Sequence, residues 1–147
     1  MEGSATQVLD YIELDSTAAD HCTIQGCRMI AETAGANTAI AVNAAVNELA
    51  ILDCDIQGDF ATGCIDSASA HLNCRILRNV FRNDGASDHA IEFTAGATGI
   101  IAWNAIQTAV AAGGGADVID KGSCGCVENY AADADNDTSG KLTPPAT

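Results

Sequence analysis

Short apolar segments that contain Ile recur along the chain, and Gly, Asn or Asp separates them. In one series, Cys or Asn precedes Ile by two positions, as in Cys22-Thr-Ile24, Cys54-Asp-Ile56, Cys74-Arg-Ile76 and Asn104-Ala-Ile106. In a second series, an apolar residue directly precedes Ile, as in Ala39-Ile40, Cys64-Ile65, Ala90-Ile91 and Val118-Ile119. The two series alternate, and the second advances in steps of 25, 26 and 28 residues, which indicates a repeat.

This repeat predicts an all-β solenoid. Each repeat unit contains two or three short β-branched strands, joined by turn residues such as Gly35-Ala-Asn37 and Asn83-Asp84-Gly85. A period of this length without helical periodicity is typical of a repeat architecture, and Leu is too scarce for a leucine-rich repeat. We expect one domain, a right-handed parallel β-helix of about five coils over residues 20–130. Residues 1–19 would form an arm or cap with a first strand at residues 11–14, and residues 131–147 an acidic, Pro-containing tail.

Coils of a parallel β-helix stack at about 4.8 Å, so equivalent residues form ladders. We expect one inward ladder of Ile24, Ile56, Ile76 and Ile106, with Ile101 as an alternative occupant in the fourth coil. A second ladder would contain Ile40, Ile65, Ile91 and Ile119. Cys22, Cys54 and Cys74 would stack beside the first ladder, because small thiols suit a narrow core.

Composition limits the possible partners of the chain. Of the 147 residues, 48% are hydrophobic but only 4% are aromatic, which is enough for a core of small side chains. No apolar segment approaches the ~20 residues that cross a bilayer, and no signal peptide is visible. The formal net charge of −14 disfavours nucleic acid and anionic membrane surfaces as partners.

The seven cysteines are an odd number, which argues against a secreted disulfide framework. Buried thiols are the favoured interpretation, with disulfides or metal ligation as alternatives. Cys124-Gly-Cys126 does not have CxxC spacing, and no second pair stands at zinc-finger spacing. We therefore predict no metal ligands and no cofactor.

The residue after each Ile of the second series is Ala41, Asp66, Glu92 or Asp120, so three carboxylates would lie about 5 Å apart on one face. A solvated acidic face is the favoured interpretation, and a divalent-cation site or an active site are the alternatives. The clustered bases Arg75, Arg78 and Arg82 could serve a lyase, an acidic docking partner or ion pairs within the chain. We expect one such pair between Asp55 and Arg75.

Other candidate sites are weaker. His21, Asp53 and Asn73 each precede a ladder Cys, and we expect a hydrogen-bonded outer row rather than a catalytic dyad. The run from Asp133 to Asp137 opens like a calcium loop, but Thr138 and Pro144 replace the required Gly and Glu. Few aromatic residues are present to stack on sugars, which disfavours a long carbohydrate groove. No catalytic residue is predicted.

The CxIxG and AIxx alternation resembles the right-handed β-helix repeat of pectate-lyase-like proteins. The stretches Gln57-Gly58-Asp59-Phe60, Ile76-Leu-Arg-Asn79, Cys126-Val-Glu-Asn-Tyr130 and Asp137-Thr-Ser-Gly140 are similar to small β-helix structural proteins of tailed bacteriophages. This resemblance implies a homotrimeric virion component: a decoration or cement protein, a fibre segment or a tailspike.

We therefore expect a non-enzymatic capsid decoration protein that assembles in the host cytoplasm and binds the major capsid protein on the virion surface. It would stabilise the phage head as a homotrimer, with Ala68, Ala70 and Ala95 as contact residues. The alternatives are a carbohydrate-binding or carbohydrate-cleaving β-helix, of the tailspike or polysaccharide-lyase type, and a fragment of a longer fibre.

Overall fold

The computed structural model describes residues 10–16, 19–84, 89–107 and 119–131, which form thirteen β-strands. The strands are β1 (Asp10–Leu14), β2 (Thr23–Gln25), β3 (Arg28–Val42), β4 (Ala50–Leu52), β5 (Asp55–Ser67), β6 (Cys74–Leu77), β7 (Val80–Asn83), β8 (Ile91–Phe93), β9 (Gly99–Ala102), β10 (Ala105–Ile106), β11 (Ile119–Asp120), β12 (Gly125–Val127) and β13 (Tyr130–Ala131). Within these ranges, no helix has the length and apolarity that crossing a membrane requires.

Two parallel sheets run along the molecule. The first has the order β1-β3-β5-β7-β10-β13, with β8 bridging β5 and β11, and the second has the order β12-β9-β6-β4-β2. The chain alternates between the sheets, because each strand of the second sheet is followed by a strand of the first. The fold is therefore a β-solenoid of about four turns, which confirms the predicted class.

The turn count is slightly below the predicted five, because only β12 and β13 of a further coil are described. Strand β1 confirms the predicted first strand at residues 11–14 and pairs with the second half of β3. The tail beyond Ala131, with its Asp133–Asp137 run, lies outside the described residues.

The second predicted Ile ladder is confirmed and gains one member. Backbone pairing stacks Ile12, Ile40, Ile65, Ile91 and Ile119 in successive strands of the first sheet. Ile40, Ile65 and Ile91 are fully buried. This ladder forms one wall of the core.

The first predicted Ile ladder is wrong as a single row, because its members belong to two ladders on opposite sides of the corner where the chain passes between the sheets. The alternative occupant Ile101 is confirmed, since it stacks on Ile76. Ile24, Ile51, Ile76, Ile101 and Cys126 stack in the second sheet. Met29, Ile56, Phe81 and Ile106 stack in the first sheet. The motif Cys54-Asp-Ile56 follows the corner, whereas Cys22-Thr-Ile24 precedes it, although the two read alike in sequence.

The predicted cysteine stack is wrong for the same reason. The pairing of Thr23 with Ala50 and of Ala50 with Arg75 places Cys22, Leu49 and Cys74 in one row. Cys54 instead follows the corner, where it aligns with Cys27. The four cysteines Cys54, Cys64, Cys74 and Cys124 are buried as thiols, as the composition indicated.

The corner between the two sheets has a left-handed residue in every coil. Gly26, Asp53, Arg78, Trp103 and Glu128 hold φ values of 64°, 54°, 56°, 57° and 49°. A left-handed residue turns the chain sharply within one position, and all residues except Gly pay a steric penalty there. The turn also takes the next backbone groups out of the sheet ladders, so they need other hydrogen-bond partners.

An asparagine ladder supplies those partners at the residue after the corner. Asn79 Oδ1 accepts a hydrogen bond from the Cys54 amide at 2.9 Å, and its Nδ2 donates to the Ile51 carbonyl at 2.9 Å. Asn104 repeats this pattern one coil later, with 2.9 Å to the Asn79 amide and 2.9 Å to the Ile76 carbonyl. Asn129 continues it, at 3.2 Å and 3.0 Å. Each buried amide thus ties two coils together at the corner.

Replacing Asn104 with Ala should lower the free energy of unfolding by about 1–3 kcal/mol, because it leaves the Asn79 amide buried without a partner and removes one hydrogen bond to the Ile76 carbonyl. Chemical denaturation measures this loss. Gln107→Ala, an exposed side chain in the same coil, is the control and should change stability by less than about 0.5 kcal/mol. Equal effects of the two variants would contradict the role of the ladder.

Candidate functional site

The predicted row of carboxylates exists on the first sheet. Backbone pairing sets Asp66 beside Glu92 and Glu92 beside Asp120. Ala41 precedes Asp66 in the row, and Glu13 on β1 lies beyond Ala41. Because each follows an inward Ile and side chains alternate along a strand, the carboxylates share the outer face. We call Asp66, Glu92 and Asp120 the acidic row.

Two members of the acidic row, Asp66 and Glu92, hold their protons more tightly than isolated carboxyls do. Burial raises the pKa of Asp66, and the nearby Asp10 carboxylate adds to the rise. Burial also raises the pKa of Glu92; His89 opposes this shift, while Asp66 and Asp120 reinforce it. The like charges therefore repel one another across neighbouring strands, which destabilises the fully ionised fold.

Across the described ranges, no three His, Cys, Asp or Glu side chains converge closely enough to hold a metal ion. The acidic row is a line along the solenoid rather than a cluster around one point. Divalent cations such as calcium require several oxygen ligands around one centre. The geometry therefore gives separate carboxyls on neighbouring strands rather than a set of ligands around one centre.

The three arginines of the predicted cluster lie on different parts of one coil. Arg75 is in β6 of the second sheet, Arg78 at the corner and Arg82 in β7 of the first sheet. Arg78 binds Asp53 through two hydrogen bonds of 2.7 and 3.0 Å, which lowers the pKa of Asp53. Arg82 binds Asp84 at 2.9 Å. The arginines therefore form no concentrated positive patch.

The predicted ion pair between Asp55 and Arg75 is wrong. Strand pairing sets Asp55 beside Arg28, whose Nε lies 3.3 Å from its carboxylate, and sets Arg75 beside Ala50. The cause is again the corner, which separates Asp55 from the sheet that contains Arg75.

The predicted outer row of His21, Asp53 and Asn73 is wrong in its middle member. Pairing of the second sheet aligns His21 with Glu48 and Asn73, and all three have left-handed φ values between 56° and 63°. The His21 Nδ1 lies 2.8 Å from the Glu48 carboxylate. Asp53 belongs to the other corner, so no pair of His21 with Asp53 forms.

Sequence reasoning missed a buried pair, Ser67 and His71, at the end of β5. The Val46 amide donates to His71 Nδ1 at 3.1 Å, so the neutral ring carries its proton on Nε2. That nitrogen donates to Ser67 Oγ at 2.5 Å, and Ser67 in turn donates to the Val42 carbonyl at 2.6 Å. Since Nε2 is a donor here, His71 does not act as a base towards Ser67. The pair ties the loop to the core.

A small open pocket lies on the outside of the first sheet, with a volume of about 180 Å³. Its lining residues are Ile30, Ala31, Gln57, Gly58, Arg82 and Asp84. Gly58 allows the two strands at the bottom of the pocket to approach closely, because a Cβ at this position would come within 2.5 Å of the Ala31 Cβ. The pocket is smaller than the ~300–1,000 Å³ of typical small-molecule sites. Its two charged side chains already bind each other.

Comparison of the chain with protein-family models, with curated proteins and with solved structures returns no match. The functional assignment therefore depends on the residues and their geometry.

Burial lowers the pKa of His71, and the hydrogen bond that the Val46 amide donates to Nδ1 is available only to the neutral ring. The unfolded chain then binds more protons than the folded chain as the pH falls below about 6.5, so the stability that neutral His71 contributes is lost towards lower pH. We expect the free energy of unfolding of the His71→Gln variant to be about 1–3 kcal/mol lower than that of the wild type at pH 7. The difference from wild type should shrink as the pH falls. A constant difference from pH 7 to pH 5 would contradict the neutral buried ring.

The acidic row has the opposite pH dependence. Because the folded pKa of Glu92 is raised, its contribution to stability is lost as the pH rises through that pKa. Glu92→Gln should therefore increase the unfolding free energy at pH 7, by less than about 1 kcal/mol because solvent screens the row. The gain should shrink as the pH falls through the range in which Glu92 titrates, because protonated Glu92 has no charge to be repelled. Asp59→Asn, outside the row, is the control, and a destabilised Glu92→Gln variant would exclude repulsion in the row.

Proposed function

We propose that the protein is a non-enzymatic structural component of a bacteriophage virion, which decorates and cements the capsid as a homotrimer. The resemblance of its repeat and closing motifs to phage β-helix proteins supports this function. The observation that carries it is an exposed apolar surface at one corner of the last two coils, formed by Trp103, Val127 and Tyr130. We call these three residues the aromatic corner.

The aromatic corner is built from neighbouring coils. Strand pairing sets Val127 beside Ala102 and Tyr130 beside Ala105, so both lie next to the coil that contains Trp103. Trp103 is 50% exposed, Val127 41% and Tyr130 39%. The Trp103 Nε1 donates to the Glu128 carboxylate at 2.8 Å, which orients the indole along the corner.

Trp103 is an unfavourable residue at its position. Its φ of 57° lies in the left-handed region, which bulky residues seldom adopt, and the other coils have Gly, Asp, Arg or Glu there. Half of the side chain stays in water. Aromatic side chains are enriched at the centres of protein interfaces. Burial of the exposed half of the indole against a second protein would add apolar contacts that the isolated chain lacks.

A homotrimer offers a simple way to bury this surface. Three copies of the aromatic corner would meet around a threefold axis, which removes the apolar groups from water without a different partner. The negatively charged outer faces, including the acidic row, would then remain exposed. The trimer contacts predicted from the sequence lie elsewhere: Ala68 and Ala70 are exposed in the loop after β5, and Ala95 is half-exposed in the loop after β8.

The oligomeric state of the full chain tests the trimer. Light scattering after size-exclusion chromatography should give a trimer for the wild type and for Leu72→Asn, which alters an apolar residue that is 52% exposed elsewhere. Trp103→Asn should give a folded monomer at micromolar concentration, because Asn tolerates the left-handed turn. A monomeric wild type, or a trimeric Trp103→Asn variant, would contradict the proposed interface.

The capsid location needs its own measurement. A cryo-EM reconstruction of virions that contain the chain should show trimers at threefold or quasi-threefold positions on the outer capsid. Density confined to the tail would contradict the cement function. Release of sugars from a polysaccharide by the purified protein, and its loss in Asp66→Asn, would favour the carbohydrate-cleaving alternative instead.

A further inference from the structure

Two cysteines occupy the same corner position in successive coils. Arg28 pairs with Asp55 in the parallel ladder, so the preceding residues, Cys27 and Cys54, are neighbours across the coils. The Asp55 amide donates to the Cys27 carbonyl at 2.9 Å, which fixes this alignment. Asn79, Asn104 and Asn129 continue the same column in the later coils. The two thiols thus stand where the ladder would otherwise have amides.

The Cys54 thiol reaches towards the coil of Cys27. Its Sγ lies 3.7 Å from the carbonyl of Ile24, in the preceding coil, and 3.2 Å from that of Leu52. The contact with Ile24 matches the bond that Asn79 makes one coil later to the Ile51 carbonyl. The Cys27 Sγ lies 3.6 Å from the carbonyl of Gln25, next to Ile24. Both sulfur atoms therefore lie at the end of the same strand, β2.

The spacing suits a disulfide. Neighbouring parallel strands are about 4.8 Å apart, and the Cα atoms of disulfide-bonded cysteines are typically 4.4–6.8 Å apart. The other cysteine rows lack such direct neighbours, because Leu49 separates Cys22 from Cys74 and Gly99 separates Cys74 from Cys124. Cys27 is partly exposed, whereas Cys54 is 2% exposed. An external reagent would thus meet Cys27 first.

We propose that Cys27 and Cys54 are a thiol oxidation site that forms a disulfide between the first two coils, with a low-molecular-weight disulfide as the oxidant. The Cys27 thiolate attacks one sulfur of the small disulfide and expels one small thiolate, which leaves a mixed disulfide on Cys27. Cys54 releases its proton to solvent, and its sulfur attacks the Cys27 sulfur and expels the second small thiolate. The protein loses two electrons and two protons, and the oxidant becomes two small thiols.

The bond would take over the function of the asparagine ladder in the first coils. Asn side chains link the later coils through two hydrogen bonds each, whereas Cys54 has no oxygen with which to accept a bond from the Cys27 amide. A covalent link at this point closes the loop between the two cysteines and restricts the unfolded chain. Oxidation should therefore raise the unfolding temperature.

The full-length reduced protein, treated with oxidised glutathione, tests this proposal. Intact mass spectrometry should show the loss of two hydrogen atoms in the wild type and in the control Cys22→Ser, and peptide mapping should link Cys27 to Cys54. The oxidised protein should unfold several degrees higher, and dithiothreitol should reverse both changes. Cys54→Asn retains a side chain that the next coil already accommodates, so the fold should persist. In this variant, Cys27 should hold one glutathione as a mixed disulfide.

Three results would overturn the site: a wild type that keeps all its thiols after treatment, a wild type that stops at the glutathione adduct, or an unchanged disulfide in Cys54→Asn. These outcomes do not depend on the oligomeric state or the capsid location, so they test the oxidation site separately from the proposed function.

Discussion

The rest of the structure depends on the backbone hydrogen bonds between parallel coils. They hold each residue about 4.8 Å from its equivalents in the neighbouring coils, so any side chain is packed mainly against others at the same position. Small apolar residues fill this core well, because each Ile side chain packs against the Ile side chains of the neighbouring coils. This is how a chain with 4% aromatic residues forms a continuous core. The same spacing brings like charges together in the acidic row, where burial and repulsion raise two pKa values.

The regular backbone pairing is interrupted at the corners between the sheets. A left-handed residue turns the chain between the sheets and leaves amide groups after the corner that the sheets do not pair. Asn79, Asn104 and Asn129 satisfy those groups from within the core. The first two coils have Cys27 and Cys54 instead, which makes this end of the described column the place where a covalent link would add most.

Part of this structure could be predicted from the sequence, for a physical reason. The ladder from Ile40 to Ile119 and the acidic row lie in strands that follow one another after similar numbers of residues. The spacing in the sequence was therefore enough to predict which residues align. The first Ile ladder, the cysteine stack and the Asp55–Arg75 pair were wrong, because similar motifs stand on both sides of the corner. The Ser67–His71 pair could not be found, since its partners Val42 and Val46 meet it only across coils.

A solenoid of this kind offers rows and corners to its surroundings rather than deep clefts. Its polar groups are largely engaged in linking coils: Ser67 with His71, the asparagine column, and Arg78 with Asp53. Trp103 differs from the other corner residues because it places a large aromatic side chain at this left-handed position, where the side chain remains half-exposed and hydrogen-bonds to Glu128. Such a residue departs from the local preference of its position, and departures of this kind are concentrated at functional sites. We therefore interpret the aromatic corner as a contact surface for another protein, as the proposed structural function requires.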